Sequence, residues 1–426
     1  MIASVCWSCS ENHRGLGYHE GLSHPLARLR SSLDFMPSPV ADRPGLLIRD
    51  PFRYSDVTLI IPPILVPCLQ CFDGGQTDLD LKAMLVRATG QLDNTELAAH
   101  MVDTLSNSGF LENEAFARRK DERERAFEQA PKRDAVHAGS AYPNELDPLR
   151  ATLDRYMGAE ERAQADGLVG IAAPHVSPEG GWQSYRAAYN MMSPAYKDRT
   201  FVVLGTSHYG QPERFGLTRK PFVTPLGETA ADVALVDWLE QQAAPAIQME
   251  DYCHSVEHSI EFQVLFLQHL YGPQIRILPI LCGPYAHSIY VGGKPEANDG
   301  VRRFLGALGE LAAREGERLF WVLGIDMAHI GRRYGDTFTA RAGQGAMVEV
   351  TARDRGRIDR VAAGDAEGFW NLVQEKHDDL KWCGSSPLYT FLKAVPQASG
   401  QLLRYEHWNI DEQSVVSFAG LAFRSS

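Results

Sequence analysis

Two histidines stand where short apolar runs break into loops, in Ile171-Ala-Ala-Pro-His175 and Leu204-Gly-Thr-Ser-His208. A neutral imidazole near physiological pH can ligate a transition metal or move a proton. One such histidine is usually structural; two in matching settings point to a shared site. A third break, Gly324-Ile-Asp326-Met-Ala-His329, follows the apolar run Phe320 to Leu323. Asp and His three apart suit a ligand with its supporting partner, or a base with its orienter. The plainer alternative is an Asp helix cap with an incidental His. In Asp251-Tyr-Cys-His254-Ser-Val-Glu257-His258-Ser-Ile-Glu261, the pairs Glu257/Glu261 and His254/His258 stand four apart. On one helix each pair shares a face, either as surface charge pairing or as the wall of a polar pocket. Finally, in Lys381-Trp-Cys383-Gly-Ser-Ser386-Pro387, Ser386 as cap and Pro387 at the first turn predict a helix to about Lys393. Cys383 then lies just ahead of the helix's positive end, where a thiolate is favoured. Taken alone, a buried inert cysteine is the commoner outcome.

The elements that must position these residues are short and apolar. Strands are expected at 168–173, 201–204, 276–281, 318–323, 401–405 and 414–422. Helices are expected near 183–192, 229–242, 257–270, 301–314, 340–352 and 387–394, with an earlier one carrying Leu149, Leu153 and Met157. This alternation predicts an α/β fold, a three-layer domain around a largely parallel sheet over 138–426. In such sheets ligands collect beyond the carboxyl ends of the strands, where both histidines fall.

Upstream, residues 1–35 read as an irregular tail and 36–115 as a small α+β domain. Strands are expected at 46–48 and 57–61, then a turn at Asp73-Gly74-Gly75. A helix capped by Thr77 follows, then a second from Asn94/Thr95, Gly109 as its C-cap, and a short strand at Phe110-Leu111. That order is winged-helix-like, though a structural cap fits equally well. Residues 116–137 carry dense charge of both signs and suit a solvated linker helix. Cys6/Cys9 and Cys68/Cys71 form two CxxC pairs; they lie far apart, so core thiols are a better reading than a zinc site. Met36 is a plausible natural start, with the preceding stretch an extension.

Composition bounds the function. The 426 residues are 44% hydrophobic and carry a formal charge of −12, which disfavours a nucleic-acid surface. The best apolar run, Val57 to Cys68, is broken by three prolines and too short to span a bilayer. No apolar signal core is visible at the start, and an odd count of seven cysteines makes no disulfide framework. A cytoplasmic setting is expected.

In order along the chain, Ala138-Gly-Ser-Ala-Tyr-Pro143, Ala173-Pro-His175, Gly205-Thr-Ser-His208, Thr224-Pro-Leu-Gly227, Glu257-His-Ser-Ile-Glu261, Asp326-Met-Ala-His329 and Cys383-Gly384 resemble the motifs of the Memo-like family, also called protein B of the AmmeMemoRadiSam system. The resemblance implies a fold similar to class III extradiol dioxygenases. It implies a metal site of His175, His208 and Cys383, with Asp326, His329 and His258 lining the pocket and iron or copper as the metal. It also implies radical-SAM and AMMECR-type protein partners. One departure stands out: the family's aromatic-containing Ala-Gly-Tyr stretch after the first His reads Val176-Ser-Pro-Glu-Gly-Gly-Trp182 here. The dioxygenase triad is two His and a carboxylate, so a cysteine in the third place argues against ring cleavage.

The expectation is a metal-dependent redox enzyme acting on a small molecule or peptide. His329, oriented by Asp326, would be acid/base, and His258 and Glu261 would position or relay protons. Mixed nitrogen and sulfur ligation suits iron, copper and zinc alike. Two alternatives stand beside it: a non-catalytic peptide-binding scaffold, and metal-free catalysis by a Cys383–His pair.

Overall fold

A computed structural model describes residues 23–40, 42–158, 165 and 167–425. The Cys6/Cys9 pair and most of the expected tail lie outside these residues. The chain divides into two compact units, Met1–Ala126 and Phe127–Ser426.

In the first unit, β1 (Asp34–Pro37), β2 (Leu46–Arg49) and β3 (Thr58–Ile61) pair antiparallel in sequence order. Helices α1 (Asp78–Thr89) and α2 (Thr95–Asn107) follow, and α3 (Glu114–Gln129) runs across the boundary between units. Thr77 caps α1 in a reciprocal box with Asp80, as its position before the apolar periodicity implies. β1 falls where the sequence showed no periodicity. Its side chains are half-buried or exposed, so no apolar alternation marks it. Cys68 and Cys71 are buried thiols within the apolar core of this unit. Along α3 the mixed charges form pairs one turn apart, Arg118–Glu114, Lys120–Glu124 and Arg125–Asp121.

The second unit is α/β. Its elements are α4 (Leu146–Met157), β4 (Leu168–Ala173), α5 (Pro178–Tyr189), β5 (Thr200–Thr206), β6 (Phe215–Leu217), β7 (Phe222–Thr224), β8 (Gly227–Ala231), α6 (Val233–Ala243) and β9 (Ile247–Met249). They continue with α7 (Glu261–Tyr271), β10 (Arg276–Cys282), α8 (Ala286–Tyr290), α9 (Asp299–Glu315), β11 (Leu319–Gly324) and β12 (His329–Gly331). The chain closes with α10 (Ala346–Ala362), α11 (Ala366–Gln374), α12 (Ser385–Ala394), β13 (Ala398–Asp411) and β14 (Ser414–Ser425).

Among the described residues the sheet has eleven strands, with the path β12-β14-β4-β11-β5-β10-β6-β9. The four central strands, β4, β11, β5 and β10, are parallel. Alternation along them buries both faces: Val202 and Leu204 enter one core with α6, α9, α10, α11 and α12, while Phe201 and Val203 enter another with α4, α5 and α7. That is the three-layer arrangement. β12, β14 and β6 join by antiparallel pairing, the edge strand β9 lies parallel to β6, and β13 with β14 forms one long hairpin whose turn is held by Asp411 accepting from the Gln413 N–H.

The structure corrects several element boundaries. The expected helix over 229–242 begins only after Asp232, which caps α6 by accepting from Leu235 N–H; Gly227–Ala231 is a strand. The expected helix over 257–270 begins at Glu261. Upstream, the carbonyls of His254 and Glu257 accept from the Arg133 guanidinium, so His254 and Glu257 make only a short 3-10 turn and a loop. His254/His258 and Glu257/Glu261 therefore do not share one helix face. No helix among the described residues is long and apolar enough to cross a membrane.

Gly324 shows how tightly the sheet meets the layer above. A Cβ there would stand 2.1 Å from the Ser259 carbonyl oxygen and 3.0 Å from the Gln263 side chain. Gly324→Ala is therefore expected to cost about 1–3 kcal/mol by overpacking. Gly306→Ala in α9, where a Cβ meets nothing within 4 Å, should gain ~0.8–1 kcal/mol from helix propensity. Urea unfolding of the two variants beside wild type checks both signs.

Candidate metal centre

The site begins with strand register. Gly324 of β11 pairs with Ala173 of β4 on one side and with Gly205 of β5 on the other. Two residues beyond these partners stand His175 and Asp326, and three beyond Gly205 stands His208. His258 arrives from the loop between the 3-10 turn and α7. The nearest nitrogens of His175, His208 and His258 all lie within 4.8 Å of one another. The rings of His208 and His258 stack at 5.1 Å with a 7° interplanar angle, and that of His175 meets both edge-on.

Each strand-end histidine is oriented from behind. Nδ1 of His175 bonds the Gly324 carbonyl at 2.9 Å, and Nδ1 of His208 bonds Glu257 Oε2 at 2.9 Å. Glu257 Oε1 also accepts the His208 backbone N–H. An acceptor at Nδ1 makes that atom the donor and leaves Nε2 with its lone pair, the tautomer that binds metal. Cys383 brings Sγ to 3.3 Å from His175 Nε2. A thiolate and an imidazole on one tetrahedral ion would stand about 3.6 Å apart, and two imidazoles about 3.4 Å, from ordinary bond lengths. The sulfur is already within that spacing, and the three nitrogens reach it by side-chain shifts of about an ångström. The donor set fits iron, copper or zinc.

Electrostatics follow the same geometry. Desolvation works against charge on His208, but the Glu257 carboxylate outweighs it and holds the imidazole pKa well above its ordinary value, so a metal at Nε2 would first have to displace the second ring proton. Burial, together with the neighbouring His208, His175, His137 and Arg133, drives His258 well below. Burial would raise the Cys383 thiol, but the His175 and His208 imidazoles outweigh it and draw the thiol down to about 7. Burial lifts Asp326 to about 6 and depresses His329. His175 is 1% exposed, whereas His208 lies at the solvent edge, so the centre has a buried floor and an open rim.

The expected residues divide in their placement. His175, His208 and His258 come together, and Cys383 stands beside His175. Asp326 sits beside them, but its Oδ1 accepts the backbone N–H groups of His175 and Val176, and its Oδ2 is 3.4 Å from His175 Nε2. It orients His175; His329 is held instead by the carbonyls of Met327 and Lys381 at Nδ1. Glu261, expected to relay protons, is fully buried and engaged elsewhere: it pairs with Arg133 and accepts from Tyr142 Oη and the His137 N–H. The carboxylate that faces the site from this segment is Glu257. The missed residues are Arg133 and Tyr142, which anchor the segment. The only sequence signal for Tyr142 was its place in the Ala138–Pro143 motif.

Burial works to raise the Glu261 carboxyl, but Arg133 outweighs it and the net pKa is lowered from the ordinary 4.5. A depressed folded pKa contributes stability that is present above about pH 4.5 and lost as pH falls further, through the folded value. Removing the guanidinium strands a buried charge, so Arg133→Met should cost roughly 3–5 kcal/mol at neutral pH. The loss should shrink in acid, as read by urea unfolding across pH.

The family profile described as Memo-like protein matches residues 133–422. A MEMO1 family protein of Aquifex aeolicus is 26% identical over 383 residues, covering 88% of this chain and 95% of that one. An alignment of that extent reaches into the first 126 residues, so this relative shares part of the N-terminal unit. A MEMO1 family protein of Desulfurococcus amylolyticus is 25% identical over 307 residues, covering 68% of this chain and 99% of that one. The crystal structure of an uncharacterized Escherichia coli K12 protein aligns with a TM-score of 0.40 at 14% identity, over 60% of this chain and 99% of that one, too loosely to bear on the fold. With a profile covering well over half its length, this chain belongs to the Memo-like family.

Proposed function

We propose that the chain is a metal-dependent redox enzyme whose centre is formed by His175, His208 and Cys383, with His258 completing the donor set. The observation that carries this reading is the pair of Nδ1 atoms tied to Gly324 O and Glu257. Both His175 and His208 are thereby supported from behind as metal-binding imidazoles are, with a low-pKa thiol beside them. Bound iron or copper would supply one-electron chemistry.

The protein's own groups set the rest. Asp326 fixes the His175 backbone, and Glu257 fixes His208. The half-buried His329, its pKa depressed, donates from Nδ1 to main-chain carbonyls, which leaves Nε2 to take a proton from a substrate. The exposed His208 edge is the side from which a small molecule or peptide enters. Residence in the cytoplasm belongs to this proposal through the cysteine usage, and work alongside radical-SAM and AMMECR-type proteins through the family resemblance.

A second reading has its own observation. Cys383 Sγ lies 3.3 Å from His175 Nε2 with its pKa drawn down to about 7, the arrangement of a thiolate–imidazole nucleophile.

Anaerobic purification with metal analysis separates the two. Wild type should hold about one iron or copper per chain, and His175→Ala and Cys383→Ala should each lower occupancy roughly tenfold or more without unfolding. A folded wild type that takes up no supplied metal overturns the redox reading. Rapid stoichiometric alkylation of Cys383 in that protein would then favour the nucleophile.

A further inference from the structure

We propose that Asp354, on α10, is the positioning residue of the centre: one buried carboxylate that seats both the Cys383 loop and the Asp326–His329 loop. The inference rests on the metal reading above and adds a residue that touches no ligand.

Asp354 is fully buried, and three donors from three segments converge on it. Trp382 Nε1 donates to Oδ1 at 2.7 Å, while Tyr405 Oη and Ser417 Oγ donate to Oδ2 at 2.6 and 2.5 Å. Two of these donors belong to the site's supports. Trp382 is the residue before Cys383. Ser417 is laced to the other loop by three bonds: its Oγ accepts from Ala328 N–H at 2.9 Å, its N–H donates to the Ala328 carbonyl, and its carbonyl accepts from Met327 N–H. A hydroxyl has one proton. With that proton given to Asp354, the Ser417 oxygen is left as an acceptor toward Ala328.

The two loops also clasp each other. His329 N–H donates to the Leu380 carbonyl, and Gly384 N–H donates to the Asp326 carbonyl. Neighbouring positions on α10 complete the hold on the cysteine side, where Arg357 pairs with Asp378 and Arg353 with Asp379. The hold has work to do, because Lys376, His377, Asp378 and Lys381 all adopt left-handed backbone, which non-glycine residues rarely enter. Only a carboxylate accepts three donors through two oxygens with no proton of its own to place. The isosteric amide presents N–H groups to at least one donor, so it keeps the volume and breaks the match.

Cobalt(II) absorption of the purified protein tests this directly. In wild type, bound cobalt should show thiolate-to-metal charge transfer, which Cys383→Ser removes. Asp354→Asn should keep the ligand-field bands of imidazole-bound cobalt while losing most of the charge-transfer intensity, and cobalt affinity should fall roughly 10–100-fold. Trp382→Phe removes only the Nε1 donor and should act in the same direction, which keeps the test open should Asp354→Asn fold poorly. Undiminished charge transfer in both variants, on a wild type that shows it, overturns the role of Asp354 alone. A wild type that binds cobalt without charge transfer overturns the thiolate ligand and this inference together.

Discussion

Register between parallel strands is the constraint on which the site depends. Because Gly324 pairs with Ala173 and with Gly205, β4, β11 and β5 end level. Chains leaving level parallel strands emerge at one edge, and their next two or three side chains can meet. His175, Asp326 and His208 are those side chains. Glycine at 205 and 324 leaves room for Ser259, so the segment bearing Glu257 and His258 closes over the same edge. A slip of one residue in any pairing would turn these side chains to the opposite face.

Backbone pairing delivers the loops; two buried carboxylates hold them. Glu261 belongs to α7, on one side of the sheet, and with Arg133 and Tyr142 it fixes the start of the helix behind His258. Asp354 belongs to α10, packed on the other side, and gathers Trp382, Tyr405 and Ser417. Burial pushes the Asp354 carboxyl above its ordinary value, and the three donors and Arg357 offset only part of that rise. Neither carboxylate belongs to the histidine cluster. Each exchanges the cost of a buried charge for a loop held in one geometry.

Much of this was legible in the sequence. Apolar runs marked β4, β5, β10 and β11 to within a few residues, and the strand-end histidines fall in one histidine cluster. Thr77 before an apolar periodicity marked α1. Legibility failed where local pattern and long-range contact compete. Glu257 to Glu261 has the spacing of a helix face, but Arg133, more than a hundred residues upstream, takes the carbonyls that a helix would use. Asp354 lies between Arg353 and Arg355 and reads as part of a solvated charged face, although it is fully buried. The strands between Phe215 and Met249, interrupted by α6, are three to five residues long, too short for a period of two to register.

The bond from Cys383 to His175 closes across 208 residues, whereas that from His208 to Glu257 closes across 49. Contacts of such different span form at different moments on a growing chain, because closing a longer loop costs more entropy and its far end has to exist first. The His208–Glu257 pair can take shape while the C-terminal third, which carries the Gly324 and Asp326 supports of His175, is still being synthesised. The thiol arrives only after α10 has been made, and Ser417, which ties down its neighbouring loop, comes later still. The contact between thiol and imidazole is thereby reserved for a nearly finished chain.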